Sequence, residues 1–157
     1  MAIEKVYAYL DHMGMADRIM TFKESTATVA LAAGAVGCEQ GRIAKSMSFL
    51  VDKKPVLVLL AGDARVDNKK FKQAFHKRGH MIPFDQVEEY IGHAPGGVCP
   101  FAIKDGVSVF LDISLCPYDV VYPAAGDDHS AVRLTLEELQ RTARSTGWVD
   151  IAVDAER

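Results

Sequence analysis

The chain has little of what marks several large protein classes. It holds only three cysteines, Cys38, Cys99 and Cys116, in 157 residues. The count is odd and no CxxC spacing occurs, so neither a disulfide framework nor a zinc site is indicated. Free reduced thiols in a cytoplasmic protein fit that pattern. No apolar run approaches the roughly 20 residues that a membrane span needs. The longest, Pro55 to Ala61, has the length of a strand. The opening MAIEKVYAYL carries Glu4 and Lys5 within a helical pattern and has no apolar signal-peptide region, so a cytoplasmic location without a membrane partner is expected. Basic charge is not in excess, because the formal net charge is -3. Indiscriminate nucleic-acid binding usually goes with a basic domain, so any such contact must come from a local patch. The chain also lacks GxSxG, HExxH and GxxxxGK[ST], which sets aside three familiar catalytic frameworks. Asp127 and Asp128 have no companion cluster of ligands, so no metal is expected, and no organic cofactor either.

What is present describes an ordinary globular chain, with 49% hydrophobic and 25% charged residues. Its length suits one domain over residues 1–157. Val6, Leu10 and Met13 predict an amphipathic helix over Ile3 to Met13. A short strand follows at Arg18 to Phe22. Ser25 and Thr26 are candidate caps for a helix from about Ala27 to Val36, stopped by Gly37. Ile43 to Val51 and Pro55 to Ala61 predict two strands around a turn at Lys53-Lys54, the second buried on both faces. Asp67 or Asn68 caps a helix that turns Phe71, Ala74 and Phe75 inward. Asp85 with Glu88 predicts a capping box for a further short helix, ended by Gly92. Ala102 to Ile113 reads as a hairpin folded at Asp105-Gly106. Strands are predicted at Asp119 to Tyr122 and Ala131 to Leu134. Thr135 with Glu138 starts a last helix, and Trp148 to Val153 closes the chain as a strand or an extended segment packed by Trp148. Doubly wound βαβ alternation is absent. The class is therefore α+β, a mixed, largely antiparallel sheet or partial barrel surrounded by helices.

Four features could carry chemistry. Period-2 alternation puts Lys45 on a strand face with Ile43, Met47 and Phe49, the more apolar side of the strand. An ammonium is costly to bury unpaired. Lys45 therefore either snorkels to water near the strand end or offers its charge to an anionic ligand in a pocket. The loop GHAPGGVCPF, from Gly92 to Phe101, has Gly96-Gly97 between Pro95 and Pro100. It is either a tight turn or a rigid loop that presents N–H groups to a carbonyl or phosphate oxygen. His129 in GDDHS is either an exposed loop histidine or an acid–base group. Arg65 to Arg78 holds six Lys/Arg against one acid, either a solvated helix face or a phosphate footprint. A Cys99–His129 dyad is a weaker option, because the surrounding sequence lends it no support.

Taken in order, GRIAKSMSFLVDKKPVLVLLAGDARVDNKKFKQAF, GHAPGGVCPF, LDISL and GDDHSAVRLTLEEL resemble the YbaK/EbsC family. That family is related to the editing insertion domain of bacterial prolyl-tRNA synthetase. The resemblance covers roughly residues 20 to 145. It implies a YbaK-like fold and a trans-editing hydrolase that deacylates mischarged aminoacyl-tRNA, a small wrong amino acid such as alanine or cysteine on tRNA-Pro. It implies a functional lysine at Lys45, a Gly-rich loop at Gly96, Gly97 and Pro100, and a pocket shaped by Thr26, Gly126 and His129. The usual GGVxPFG reads GGVCPFA here, with Ala102 in place of the last glycine. On this basis Lys45, Gly96 and Gly97 are the expected catalytic group. Thr26, Met47, Pro100, Gly126 and His129 are expected to bind substrate. Lys69, Lys70, Lys72, Lys77 and Arg78 are expected to meet tRNA. A prolyl-tRNA or other synthetase is a possible partner. The rival readings are a non-catalytic tRNA- or synthetase-binding module and, with no particular support, a lysine Schiff-base enzyme.

Overall fold

The structure is a computed structural model that describes residues 2–154. In chain order the first half holds α1 (Ala2–His12), β1 (Ile19–Thr21), α2 (Val29–Val36), β2 (Ala44–Val51), β3 (Lys54–Ala61), β4 (Ala64–Val66), α3 (Asn68–Phe75) and β5 (His80–Met81). The second half holds α4 (Val87–Ile91), β6 (Ser108–Asp112), β7 (Val120–Val121), β8 (Ser130–Val132), β9 (Leu134–Thr135), α5 (Leu136–Thr142), β10 (Gly147–Val149) and β11 (Ala152–Asp154). The main sheet has the order β10-β6-β3-β2-β5 and does not close. The pairings β10–β6 and β6–β3 are parallel, while β3–β2 and β2–β5 are antiparallel. Three two-stranded ribbons, β1-β8, β11-β4 and β7-β9, are antiparallel and flank it. The expected mixed, largely antiparallel α+β architecture is what forms.

The core follows from the sequence pattern. Leu57, Val58, Leu59 and Leu60 of β3 are fully buried, as a central strand covered on both faces must be. Phe49 of β2 packs against Phe71 of α3, with the rings tilted by 51° and their centroids 4.8 Å apart. Leu50, its neighbour, packs with Ile82, Val87 and Ile91 on the opposite face. Asp112 is fully buried where β6 ends. One carboxylate oxygen accepts from Ile151 N at 2.7 Å and the other from Ser114 N at 2.9 Å. That carboxylate ties the end of the chain to the sheet.

Several local expectations need correction. The cap of α2 is Thr28, whose hydroxyl accepts from Leu31 N at 3.2 Å, so the helix starts two residues later than predicted. Neither Ser25 nor Thr26 caps it, and the Thr26 side chain has another task described below. The β2–β3 turn is made by Asp52-Lys53, both at positive φ, rather than Lys53-Lys54. Asp85 forms no capping box. It lies inside a 3₁₀ turn over Phe84–Gln86 that opens after Pro83, so it is past the cap position. The Ala102–Ile113 hairpin does not form. β6 is flanked by parallel β3 and β10, which leaves no side for a hairpin partner. The Ala131–Leu134 strand divides into β8 and β9. The tail forms two short strands, and Trp148 is 36% exposed rather than packing them. Asp67 and the Thr135–Glu138 capping box hold as predicted.

Ala102 sits at φ 54°, in the left-handed region that a glycine adopts without a Cβ clash. A non-glycine residue there costs about 1–2 kcal/mol, partly offset by the greater freedom of glycine in the unfolded chain. Ala102→Gly is expected to stabilise the fold by about 0.5–1 kcal/mol, a rise in Tm of roughly 2 °C. Thermal or urea unfolding checks this, and an unchanged or lower midpoint would show that Ala102 carries no strain.

Candidate active site

β2 is paired with β3 along its whole length, but on its other side only at the two ends. At the start, Ala44 N donates to Tyr122 O at 3.1 Å, next to the isolated Ile43–Tyr122 bridge. At the end, Ile82 N donates to Ser48 O at 3.1 Å, and β5 pairs with Phe49 and Leu50. In an antiparallel ladder, the two backbone polar groups of a residue point to the same side, and the side alternates along the strand. Ala44 and Ser48 point outward, so the N–H and C=O of Ser46 also point outward, between the two ties. A cavity of about 470 Å³ lies along this open edge. The edge exposes both faces of the strand, so Lys45, Ser46, Met47 and Ser48 all line it. Thr26, Gly96, Ser130 and Ala131 face them. Ser46 Oγ is buried with no hydrogen-bond partner among the described residues. Buried hydroxyls are rarely left so.

Lys45 is half-buried. Its ammonium donates to Ala64 O, at the start of β4, and, at 3.3 Å, to Gly62 O in the β3–β4 turn. Burial pushes its pKa below the usual lysine value, and the nearby Asp63 charge opposes that shift. An ammonium has three N–H donors, so the two carbonyls leave one. The lysine is thus neither stranded in an apolar face nor simply led out to water.

The Gly-rich loop divides in its roles. Gly96, at φ 93°, reaches the cavity. Gly97 N donates to Ala94 O at 3.1 Å within the turn. A Cβ on Gly97 would stand 2.5 Å from the Gly126 carbonyl carbon and 2.6 Å from Asp127 N. Gly97 therefore lets the two loops touch backbone to backbone. Gly126, at φ 98°, packs on α1, where an added Cβ would meet Ala2 O at 2.9 Å. Pro100 is buried and, with Gly97 and Gly126, is not part of the cavity lining.

The loop base is pinned by a residue the sequence reading passed over. His93 is fully buried, and its Nε2–H donates to Phe101 O at 2.6 Å. Its Nδ1 is buried without a partner among the described residues. Cys99 Sγ lies 3.4 Å from the same Nε2. That nitrogen carries the proton and cannot take one from the thiol. Burial pushes the Cys99 thiol up to about 12, only partly countered by the Phe101 backbone and the Lys5 charge. The Cys99–His129 dyad does not form, and Cys99 is held as an inert thiol.

Thr26 Oγ1 donates to Ser130 O at 3.3 Å and accepts from Ser130 N at 3.2 Å, while Thr26 N donates to Asp128 O at 2.6 Å. Thr26 thus clamps the 127–130 segment against the cavity. His129 turns outward, half-exposed, with Nδ1 2.7 Å from Asp128 Oδ1. It is not among the lining residues, whereas its neighbours Ser130 and Ala131 are. The basic residues stand apart from the cavity. Lys69, Lys72 and Arg78 line a separate hollow of about 400 Å³ beside α3. Lys70 is tied to Asp150 at 3.1 Å and to Ala152 O at 3.0 Å. Lys77 lies 3.8 Å from Asp52. Among the described residues no group of three metal-ligating side chains gathers, and no helix is long and apolar enough to cross a membrane.

Ser46 was legible only indirectly. Ala44, Ser46 and Ser48 are a stripe of small residues on one strand face, and that stripe proves to be cavity wall.

Comparison with known proteins agrees with this fold. The model of the aminoacyl-tRNA editing domain family matches residues 23–142. YwhH of Bacillus subtilis is 38% identical over 157 residues, covering 99% of this chain and 100% of YwhH. The proline–tRNA ligase of Limosilactobacillus fermentum is 32% identical over 91 residues, 54% of this chain but 16% of the ligase. A solved structure described as a "putative trans-editing enzyme for prolyl tRNA synthetase" superposes with a TM-score of 0.87 at 29% identity, over 97% of each chain.

Burial lowers the pKa of His93, and its hydrogen bond to Phe101 opposes this less strongly. Above about pH 6.5, the ring is neutral in both folded and unfolded chains and its stabilising effect is complete. Below that, the unfolded chain takes up a proton that the folded one resists, so stability falls. Urea unfolding between pH 8 and pH 5 is expected to show a smaller loss for His93→Gln than for wild type. Equal slopes would remove His93 from the pH response. Iodoacetamide at pH 8 is expected to label the exposed Cys116 and to spare Cys99 until the protein unfolds.

Proposed function

This chain belongs to the aminoacyl-tRNA editing domain family, and we propose that it hydrolyses mischarged aminoacyl-tRNA in trans, releasing a small wrong amino acid such as alanine or cysteine. Similarity to proline–tRNA ligases favours tRNA-Pro as the carrier. The observation that carries the reading is the cavity along the open edge of β2. It joins around one cavity an ammonium, a hydroxyl without a partner among the described residues, and a glycine turn.

In this reading the aminoacyl group enters beside Ser46. The outward backbone N–H and C=O of that residue, with its hydroxyl, offer both donors and acceptors to an α-amino acid. Lys45 holds the terminal nucleotide or the ester by charge, through the N–H not given to Gly62 and Ala64. The ester carbonyl lies against the backbone of the Gly96 turn as negative charge builds on its oxygen. Water adds to that carbonyl, its proton accepted through the neighbouring ribose hydroxyl of the substrate. The ribose oxygen leaves with a proton. No protein base is needed, which accords with a Cys99 that cannot ionise and a His129 that faces away. Met47, Ala44 and Ala131 limit the side-chain space. A methylene is worth about 1–3 kcal/mol in such a wall, so small residues are favoured over larger ones. Lys69, Lys72 and Arg78 are the proposed phosphate contacts, since Lys70 and Lys77 have carboxylate partners.

A panel of tRNAs charged with alanine, serine, cysteine and proline tests this. Wild type is expected to deacylate the small non-cognate pairs. Lys45→Ala is expected to lose about 100-fold or more in rate. Its folding should survive, because only two hydrogen bonds to carbonyls are lost. An unchanged rate removes Lys45 from the mechanism. If no charged tRNA is hydrolysed at high enzyme concentration, the binding-module reading replaces the hydrolase.

A further inference from the structure

Beyond the cavity walls, its mouth carries two apolar side chains that the fold does not use. Phe84 is 79% exposed and Met81 is 61% exposed, and both line the cavity. They are not on a loose loop. Met81 pairs with Phe49 in the sheet, and Ile82 N is bonded to Ser48 O. Ile82 and Val87, on either side of Phe84, are buried at 4% and 7% exposure. Gln86 N closes the turn on Pro83 O at 2.8 Å. The backbone is therefore fixed while the aromatic ring stands in water, at a cost in exposed apolar surface that packing within this chain does not offset.

We propose that Phe84, backed by Met81, is a stacking platform for the adenine at the 3′ end of the tRNA. This rests on the hydrolase reading for the identity of the nucleotide. The aminoacyl ester is borne by the ribose of that nucleotide. Once the ester lies in the cavity, the base must lie at the mouth, one sugar away. A flat apolar ring is the surface that a base π-face takes up, with or without sequence preference. The chain immediately before the platform carries a guanidinium. Arg78 is exposed and three residues from Met81, about 10 Å along an extended chain. A phosphate preceding the terminal nucleotide thus has a cation within reach. This alternation of cation and aromatic is how single strands are commonly held.

The test is a titration of the wild-type protein with the uncharged trinucleotide CpCpA, read by NMR of phenylalanine rings and methionine methyls. Phe84 and Met81 signals are expected to move upfield, and the dinucleotide CpC, which lacks the adenosine, should leave them in place. Phe84→Ala is expected to weaken CpCpA about ten-fold. Phe84→Trp should restore binding, while Phe84→Leu, apolar but not flat, should not. With charged tRNA the same series should raise KM and hold kcat within about two-fold, since the ring touches no reacting atom. Equal CpCpA binding by wild type and Phe84→Ala overturns the proposal. So does rescue by leucine as full as by tryptophan. Loss of synthetase binding in Phe84→Ala with CpCpA affinity unchanged also overturns it, in favour of a protein-docking lip. The titration needs no catalysis. A protein that binds CpCpA through Phe84 yet spares every charged tRNA keeps the platform and loses the hydrolase.

Discussion

The gap in the pairing of β2 is the constraint on which the rest of the site depends. A fully paired strand would spend every backbone group on its neighbours and leave no concave edge. Here Tyr122 ties the start and β5 ties the end. Between them the backbone of Ser46 is turned toward the cavity. Both ties are short, so the opening spans only the residues between them. An open edge is usually a hazard in a sheet, since it invites another strand. This one is bordered by the Gly-rich loop and α2, whose Gly96, Val29 and Ala32 share the cavity lining.

The opposite wall is built from loops, which needs a separate source of rigidity. Three contacts supply it. Gly97 lets the Gly-rich loop press on the 126–127 backbone, closer than any Cβ would allow. His93 bonds across the base of the loop to Phe101 O. Thr26 clamps Ser130 by two hydrogen bonds through one hydroxyl. Glycine, histidine and threonine here serve geometry, and the groups left facing the cavity are few. For the proposed hydrolysis this is chemically adequate, because aminoacyl esters are intrinsically labile and a site need position more than activate.

Much of the architecture was legible from pattern alone. The alternation in AKSMSFLV and the apolar run PVLVLLA announce β2 and β3, and Thr135 with Glu138 announces α5. Errors arose where a local signal met a tertiary competitor. Asp105-Gly106 is a good hairpin turn, but β6 was claimed on both sides by parallel partners. Thr26 is a good helix cap, but its hydroxyl was taken by Ser130. For the site, Lys45, Met47, Thr26 and Gly96 were named from sequence and do line one cavity. Gly97, Pro100, Gly126 and His129 came from the same motifs and stand behind the wall or outside it. Motif membership marks residues that build a loop without separating those that face inward from those that hold it in place.

Sequence by itself determined the class of fold, the family and most of the elements. Those follow from hydrophobic period, turn chemistry and motif order, which are properties of neighbouring residues. It could not decide that Ser46 and Phe84 matter. Ser46 is an ordinary serine until two distant segments, Tyr122 and β5, stop pairing short of it. Phe84 carries no local signal, and its ring stays in water because Ile82 and Val87 fill the core on either side. Both outcomes depend on which polar group or which space remains once long-range packing is complete, and no local stretch of chain contains that information.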